Sequence, residues 1–276
     1  MDVANIANIV AMVLYATVWV HLMLATVNQR AANTRLITTV TALALLAHGL
    51  AAHNTIFVAT GIRIGIAIVP TLLFWVMNLL VLLSGLRRPL HNLFLFLLPL
   101  SVLAIVLSML ADSDTTQIER GLAGHIILSM LAYSLLAIAT LQALLLAYLN
   151  RKLKHKHSTN LMRILPPLET MDALMFDLIW AGQGVLTFSI ITGVVFVPDI
   201  TTFFSSHHAV ISLIAWLIYA ILLWGHWQWG WRGKTAVRWA VGGFTALLLA
   251  YFGTKFAYEV VFHKSQIMQS SQAFID

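Results

Sequence analysis

Eight stretches of mostly apolar residues follow one another along this chain of 276 residues, and they constrain its fold more than any other feature. A helix of roughly 20 apolar residues crosses the hydrocarbon core of a bilayer and satisfies its own backbone hydrogen bonds there. Runs such as 93–98 do not alternate in polarity, as the strands of a membrane β-barrel do. The sequence therefore predicts an all-α polytopic membrane domain over residues 1–263, with eight transmembrane helices at about 6–27, 36–58, 64–85, 91–111, 122–149, 174–197, 209–229 and 237–259.

The composition supports a membrane protein. Hydrophobic residues make up 60% of the chain and charged residues only 9%, whereas a soluble domain carries about 25% charged residues. The chain has no cysteine, which excludes disulfides, iron–sulfur clusters and thiolate metal sites. Its net charge of +6 fits basic cytoplasmic loops, and no nucleic-acid partner is expected.

Lysine and arginine are concentrated on alternate connections between the predicted helices. The connections after helices 1, 3, 5 and 7 hold 12 of the 16 basic residues. Because an excess of Lys and Arg marks the cytoplasmic side, both termini are predicted to face outward.

The longest connection, 150–173, opens with a basic run and then reaches Pro167, which suits the first turn of a helix. We predict a cytoplasmic loop that contacts anionic headgroups and contains a short surface helix leading into helix 6. A docking site for a partner protein is the alternative for the basic run. The tail at 264–276 is polar.

Histidines are the main ionisable residues inside the predicted helices, where such groups are costly and often functional. They form two layers. An outer layer contains His53, His125, His207 and His208, with His48 deeper, and an inner layer contains His21, His91 and His226. Neutral imidazole can ligate iron, copper or zinc, but each ring could equally hydrogen-bond a neighbouring helix. His48 and His53 are about 140° apart around their helix, so they do not face one centre.

Tryptophan is dense at 224–231, just before Arg232 and Lys234. This pattern is typical of an interfacial aromatic belt with basic anchors. Gly230 and Gly233 also predict that a tight turn follows directly after helix 7.

Several of these motifs together resemble the cytochrome c assembly family, which includes the CcsA, CcmC and HemX-like haem-handling membrane proteins. The resemblance covers roughly 120–260. It rests on the stretch 215–220, on Gly230-Trp231-Arg232-Gly233-Lys234, on the helix beginning near His125, on Pro166-Pro167-Leu168-Glu169, on 186–193 and on Tyr251-Phe252-Gly253. Within the family, Ala47-His48 and Trp224-Gly225-His226 are most similar to the small YpjD-like inner-membrane branch.

The resemblance implies a multi-pass protein of the bacterial inner membrane that binds or handles haem, with haem b as the expected cofactor. It implies His125 as an iron ligand, with His53, His48 or an outer-loop histidine (His207 or His208) opposite. His226, Trp231 and Arg232 are further cofactor-binding candidates. The chain departs from haem exporters and synthetases in two places. Its outer loop at 199–208 has no tryptophan, and Trp224 stands where synthetase-type members have a histidine.

Three functions remain open from the sequence. The first is a haem-binding regulator or assembly factor rather than a turnover enzyme. The second is a small-molecule or ion transporter, with helices broken at Pro70, Gln183 and Gly193 around a midplane site. The third is an accessory subunit of another membrane protein, whose histidines are structural. The expected partners are the lipid bilayer, haem and another membrane protein.

Overall fold

The chain forms a helical bundle. A computed structural model describes residues 2–28, 30–58, 61–63, 68–86, 90–110, 115–116, 120–154, 167–196 and 207–250. Its helices are α1 (Val3–Val27), α2 (Thr34–Ile56), α3 (Ile68–Gly85), α4 (Phe94–Leu110), α5 (Arg120–Lys154), α6 (Leu168–Phe196), α7 (His207–Trp229) and α8 (Lys234–Leu248), with a 3-10 turn at His91–Leu93 before α4. The predicted all-helical class is confirmed.

Within the described ranges, seven helices are long and apolar enough to cross a membrane, namely α1 to α7, where α4 is taken together with its preceding turn as His91–Leu110. Helix α8 has 15 residues, fewer than the roughly 20 that a crossing needs. The predicted end of helix 8, the motif Tyr251-Phe252-Gly253 and the polar tail lie outside the described residues. The chain is therefore a multi-pass membrane protein, and its eighth span stays a prediction.

The outer surface of the bundle is apolar. Large side chains on several helices point away from the protein, including Leu46, Leu110 and Phe188, which are 71%, 79% and 64% exposed. A soluble monomer rarely exposes so extensive an apolar surface, because it would contact water at a high cost in free energy. This outer surface is therefore suited to contact with the acyl chains of lipids.

Among the described residues, two large apolar cores hold the helices together, and α5 contributes to both. One core joins α1 to α4 with one face of α5 and the start of α6. The other joins α5 to α8. At 35 residues α5 is about 52 Å long, well beyond a hydrocarbon core of about 30 Å, so at least one of its ends extends past the lipid chains.

Polar side chains tie neighbouring helices at a few points inside the first core. Trp19 of α1 donates its indole N–H to the Leu95 carbonyl of α4 at 3.0 Å. Trp75 of α3 donates to the Leu45 carbonyl of α2 at 2.9 Å. Such interhelical bonds are a main source of specificity where lipid removes the hydrophobic drive for helix association.

A small three-stranded ribbon lies at one end of the bundle and was not predicted. Phe57–Val58 pairs antiparallel with Gly61–Arg63, which pairs with Thr115–Thr116. The ribbon follows α2 and precedes α5, so it brings the end of α2 and the start of α5 to the same end of the bundle. We call this the ribbon end; it also holds the end of α6 and the start of α7. The opposite end, with the end of α5, the start of α6, the end of α7 and the start of α8, is the basic end.

Helix α6 is continuous from Leu168 to Phe196. Residues 168–173, for which a separate surface helix was predicted, are the first turns of this helix, and Pro167 stands directly before it. Gln183 and Gly193 lie within the unbroken helix, and Pro70 lies in the first turn of α3, where proline is tolerated. The helix breaks on which the transport hypothesis depended are absent at these three positions.

Candidate functional site

His125 lies in the second turn of α5, at the ribbon end, and one of its ring nitrogens is fixed by α6. Its Nδ1 is 2.8 Å from the backbone carbonyl of Ser189. A carbonyl oxygen only accepts hydrogen bonds, so Nδ1 carries the proton and donates it. In this tautomer Nε2 holds the free lone pair, which is the arrangement of a histidine that ligates a metal through Nε2.

Three hydroxyl groups surround the His125 ring at the interface of α5 and α6. Ser129 donates its hydroxyl proton to the His125 carbonyl at 2.8 Å, so its Oγ, 3.4 Å from His125 Nε2, does not use the Nε2 lone pair. Ser129 Oγ is also 2.7 Å from Ser189 Oγ. Thr192 donates its hydroxyl to the Ser189 carbonyl at 2.8 Å and lies 3.5 Å from His125 Nδ1. The ring is thus oriented by groups on both helices. Sequence reasoning did not identify these hydroxyls.

His226, near the end of α7, is held in a similar way at the basic end. Its Nδ1 is 2.8 Å from the Trp231 carbonyl, so Nδ1–H donates and Nε2 keeps the lone pair. Its ring stacks on Phe176 of α6, with ring centres 3.5 Å apart and an angle of 19°. Phe176 was not identified from the sequence, because only the packing of α6 against α7 brings the two rings together.

The turn after α7 is shaped by glycines, as predicted. Gly230 and Gly233 have φ angles of +64° and +58°, a conformation that favours glycine. Gly225 has a different function, since a Cβ at this position would overlap the indole of Trp231. The chain therefore folds back so that Trp231 covers Gly225 and its carbonyl reaches His226. Trp231 acts on His226 through its backbone, while its ring stacks with Trp229 and Trp239.

His226 lines a groove of about 680 Å³ at the basic end, together with Trp180, Phe176 and acidic residues. Asp172 Oδ2 is 3.6 Å from Arg232 Nε, and Arg232 is otherwise 71% exposed. The other Asp172 oxygen is buried and has no hydrogen-bond partner among the described residues. Glu169 and Asp177 line the same groove. Among the described residues, three carboxylates against one guanidinium make it an acidic groove. The sequence reading named Glu169 only as part of a family motif and did not predict the groove.

The two histidines are too far apart to share one ligand. His125 contacts Ser189 and His226 contacts Phe176, both on α6. The 13 residues between Phe176 and Ser189 correspond to about 20 Å along the helix. The predicted separation into two histidine layers is therefore seen for this pair.

His48 lies inside the first core and is fully buried. Its Nδ1 is 3.2 Å from the hydroxyl of Tyr15, which is also fully buried, and its Nε2 has no partner among the described residues. His53, one and a half turns later, is exposed at the ribbon end. The two rings lie on different faces of α2, and only His53 is accessible from outside.

His207 and His208 begin α7 at the ribbon end, and their side chains lie outside the described part of the structure. Helices α6 and α7 pack antiparallel: Trp216 Nε1 donates to Thr187 Oγ1 at 2.9 Å, and the later His226 stacks on the earlier Phe176. The backbone at His208 is about 12 Å beyond Trp216 in the direction of the ribbon end. The start of α7 therefore lies at the same end of the bundle as His125.

Comparisons with known proteins agree with this architecture. A family model described as cytochrome C assembly protein matches residues 6–262. The chain is 36% identical over 141 residues to the inner membrane protein YpjD of Escherichia coli K12, which covers 51% of this chain and 53% of that protein. It is thus matched over about half the length of that relative.

Two further relatives are more distant. An uncharacterized 28.8 kDa protein of Azospirillum brasilense is 30% identical over 193 residues, which is 67% of this chain and 71% of that protein. The cytochrome c biogenesis protein CcsA of Guillardia theta is 31% identical over 149 residues, 48% of this chain and 50% of that protein. No solved structure matches the chain. Because the family model extends over nearly its whole length, the chain belongs to the cytochrome c assembly protein family.

Proposed function

We propose that this protein binds haem at the ribbon end, with His125 as an axial ligand of the iron, and acts as an assembly or regulatory factor in the bacterial inner membrane. The observation that carries the proposal is the hydrogen bond from His125 Nδ1–H to the Ser189 carbonyl. It fixes the ring and leaves Nε2 available, as a haem-ligating histidine requires. Family membership, shared with proteins named for cytochrome c biogenesis, supports haem as the ligand.

Charge disfavours the acidic groove as a haem site. Haem b carries two propionates, which the carboxylates of Glu169, Asp172 and Asp177 would repel. Arg232, the groove's cation among the described residues, is already paired with Asp172. His226, Trp231 and Arg232 are therefore weaker candidates for haem than His125, although the tautomer of His226 is also suitable.

The second axial ligand, if the iron takes two, comes from the same end in this proposal. His53 is exposed there, and His208 lies in the first turn of α7, the helix packed beside α6. His48 suits a structural role better, because its ring is buried against Tyr15. A bound haem would supply iron that can be held, passed on or sensed. The protein would hold the axial histidine in its orientation and shield it.

Haem loading of the purified protein tests the proposal. In a mild detergent, titration with haem should give a Soret band that saturates at one haem per chain and shifts on reduction. The same titration should leave an unrelated helical membrane protein of similar size without a saturable band. A spectrum that remains that of free haem at every ratio would contradict the proposal.

The orientation of the bundle is part of the same proposal, with the basic end in the cytoplasm and both termini outside. The chain has no cysteine, so single cysteines can be introduced without background. Thr115 lies in the ribbon, outside the predicted spans, and Thr235 is exposed at the basic end. In intact spheroplasts, a membrane-impermeant maleimide should label Thr115→Cys at once and Thr235→Cys only after permeabilisation. The reverse pattern would invert the proposed topology.

A further inference from the structure

A second cavity at the basic end is lined by cations and lies beside the acidic groove. It has a volume of about 1030 Å³, between the end of α5 and the start of α8. Its lining contains Arg151, Lys154, Lys234 and Arg238 and no carboxylate among the described residues. Within the described part of the chain, none of these four cations is in an ion pair. The cavity is a concentrated positive site.

The cations on α5 have a local explanation. Arg151 and Lys154 lie in the last turns of α5, where the helix dipole is negative and basic residues are favourable. A preference for positive charge on cytoplasmic loops accounts for their presence as well. Neither effect requires a ligand.

The cations on α8 are placed against local electrostatics. Lys234 is the first residue of this helix, at the positive end of its dipole, and the first turn has no acidic residue. Lys234 and Arg238 are four residues apart on one face, an arrangement in which like charges repel. They also face the cations of α5 across the cavity. An anion in the cavity would remove all three unfavourable contributions.

A cluster of tryptophans beside this cavity indicates how deep in the membrane it lies. Trp231 stacks on Trp229 and Trp239 with ring centres 5.6 Å apart in both pairs. Trp239 follows Arg238 directly. Tryptophan clusters of this kind lie at the level of the lipid headgroups. The cavity is thus at the depth where phosphate groups of the bilayer are present.

From these observations we infer that the basic cavity binds a phosphate-bearing anion of the kind that an anionic phospholipid headgroup provides. Arg151 and Lys154 on one side and Lys234 and Arg238 on the other would surround the phosphate. Basic pockets between helices at the cytoplasmic side are suited to such headgroups. This site is separate from the proposed haem site, which is at the other end of the bundle.

The test compares two double variants of the full chain that lose the same charge. Lys234→Gln with Arg238→Gln alters the cavity. Arg30→Gln with Arg35→Gln removes two exposed arginines, one in the α1–α2 connection and one in the first turn of α2. In uncharged detergent, native mass spectrometry measures the affinity for phosphatidylglycerol, cardiolipin and phosphatidylcholine. The cavity variant should lose about 10- to 30-fold in affinity for the anionic lipids, and the control less than about threefold.

Thermal stability gives a second readout that does not depend on retained lipid. Without added lipid, the cavity variant should be at least as stable as the parent, because a repulsive pair has been removed. Added cardiolipin should raise the Tm of the parent and of the control variant but not that of the cavity variant. This crossed pattern separates loss of a site from damage to the fold.

The source of the phosphate is decided by competition with inorganic pyrophosphate. If pyrophosphate does not displace the lipid, the site belongs to a headgroup. If it binds with the same dependence on Lys234 and Arg238 and displaces the lipid, the site serves a soluble phosphate compound. Equal lipid affinities for the two double variants, or equal affinities for phosphatidylcholine and phosphatidylglycerol, would overturn the inference.

Discussion

Replacing His125 by alanine is expected to abolish the saturable Soret band of the haem-loaded protein. The substitution removes the ring that the Ser189 carbonyl fixes and whose Nε2 would bind the iron. Loss of a supporting hydrogen bond to a metal ligand costs about 10- to 100-fold in affinity, so loss of the ligand itself should cost at least about 100-fold. The measurement is a haem titration followed by absorption, with the Tm recorded in parallel.

Two variants separate ligation from folding in this experiment. His21→Gln is a matched control, because the His21 Nε2 accepts the Asn33 backbone N–H and a glutamine oxygen can do the same. It should retain the band. His125→Gly should lose the band and recover it with millimolar imidazole, which a merely structural histidine would not permit. An unchanged band in His125→Ala, with loss in His226→Ala, would move the haem to the acidic groove and refute the assignment.

A smaller effect is expected from the hydroxyl beside the ring. Ser129→Ala removes the group 3.4 Å from Nε2 but leaves the bond from Nδ1 to the Ser189 carbonyl intact. Haem affinity should fall by less than about tenfold, which is below the cost of losing a supporting hydrogen bond, because the bond that orients the ring is kept. A loss as large as that of His125→Ala would mean that Ser129, and not the Nδ1 bond, orients the ring.

The helices of this bundle could be predicted from sequence because length and apolarity alone define a membrane helix. The ribbon at Phe57–Val58, Gly61–Arg63 and Thr115–Thr116 could not, because strands of two or three residues carry no periodic signal. Helix α6 begins at Leu168 rather than at 174, since Pro167 starts it and nothing interrupts the helix afterwards. Boundaries of this kind depend on capping, which hydropathy does not record.

The same distinction applies to the candidate site, where local features could be predicted from the sequence and contacts between distant residues could not. The exit of α7 was predicted because Gly230 and Gly233 act locally. The hydrogen-bonding and stacking partners of the histidines were not predicted. Ser189 is 64 residues from His125, and Phe176 is 50 residues before His226, so each pairing depends on how α6 packs. Histidines can be found in a sequence, but the atom left free on each ring is decided by a neighbour distant in the chain.

The second large effect is expected at Gly225, where alanine should disrupt the basic end. The new Cβ would overlap the Trp231 indole, which cannot retreat easily because it is stacked between Trp229 and Trp239. Overpacking of this kind costs about 1–3 kcal/mol. Displacing Trp231 would also move the carbonyl that fixes His226. We expect a lower Tm and loss of the near-ultraviolet circular dichroism of the stacked indoles.

Gly184 provides the matched control for this change. It lies in the middle of α6, and a Cβ there would meet nothing within 4 Å. Gly184→Ala should leave the tryptophan signal unchanged and raise stability by about 0.5–1 kcal/mol, the usual gain on replacing glycine within a helix. The haem titration adds a further distinction. Because His125 is about 20 Å from Phe176 and the His226 ring, Gly225→Ala should retain the Soret band despite its lower Tm. Loss of the band in a folded Gly225→Ala protein would instead connect haem binding to the basic end.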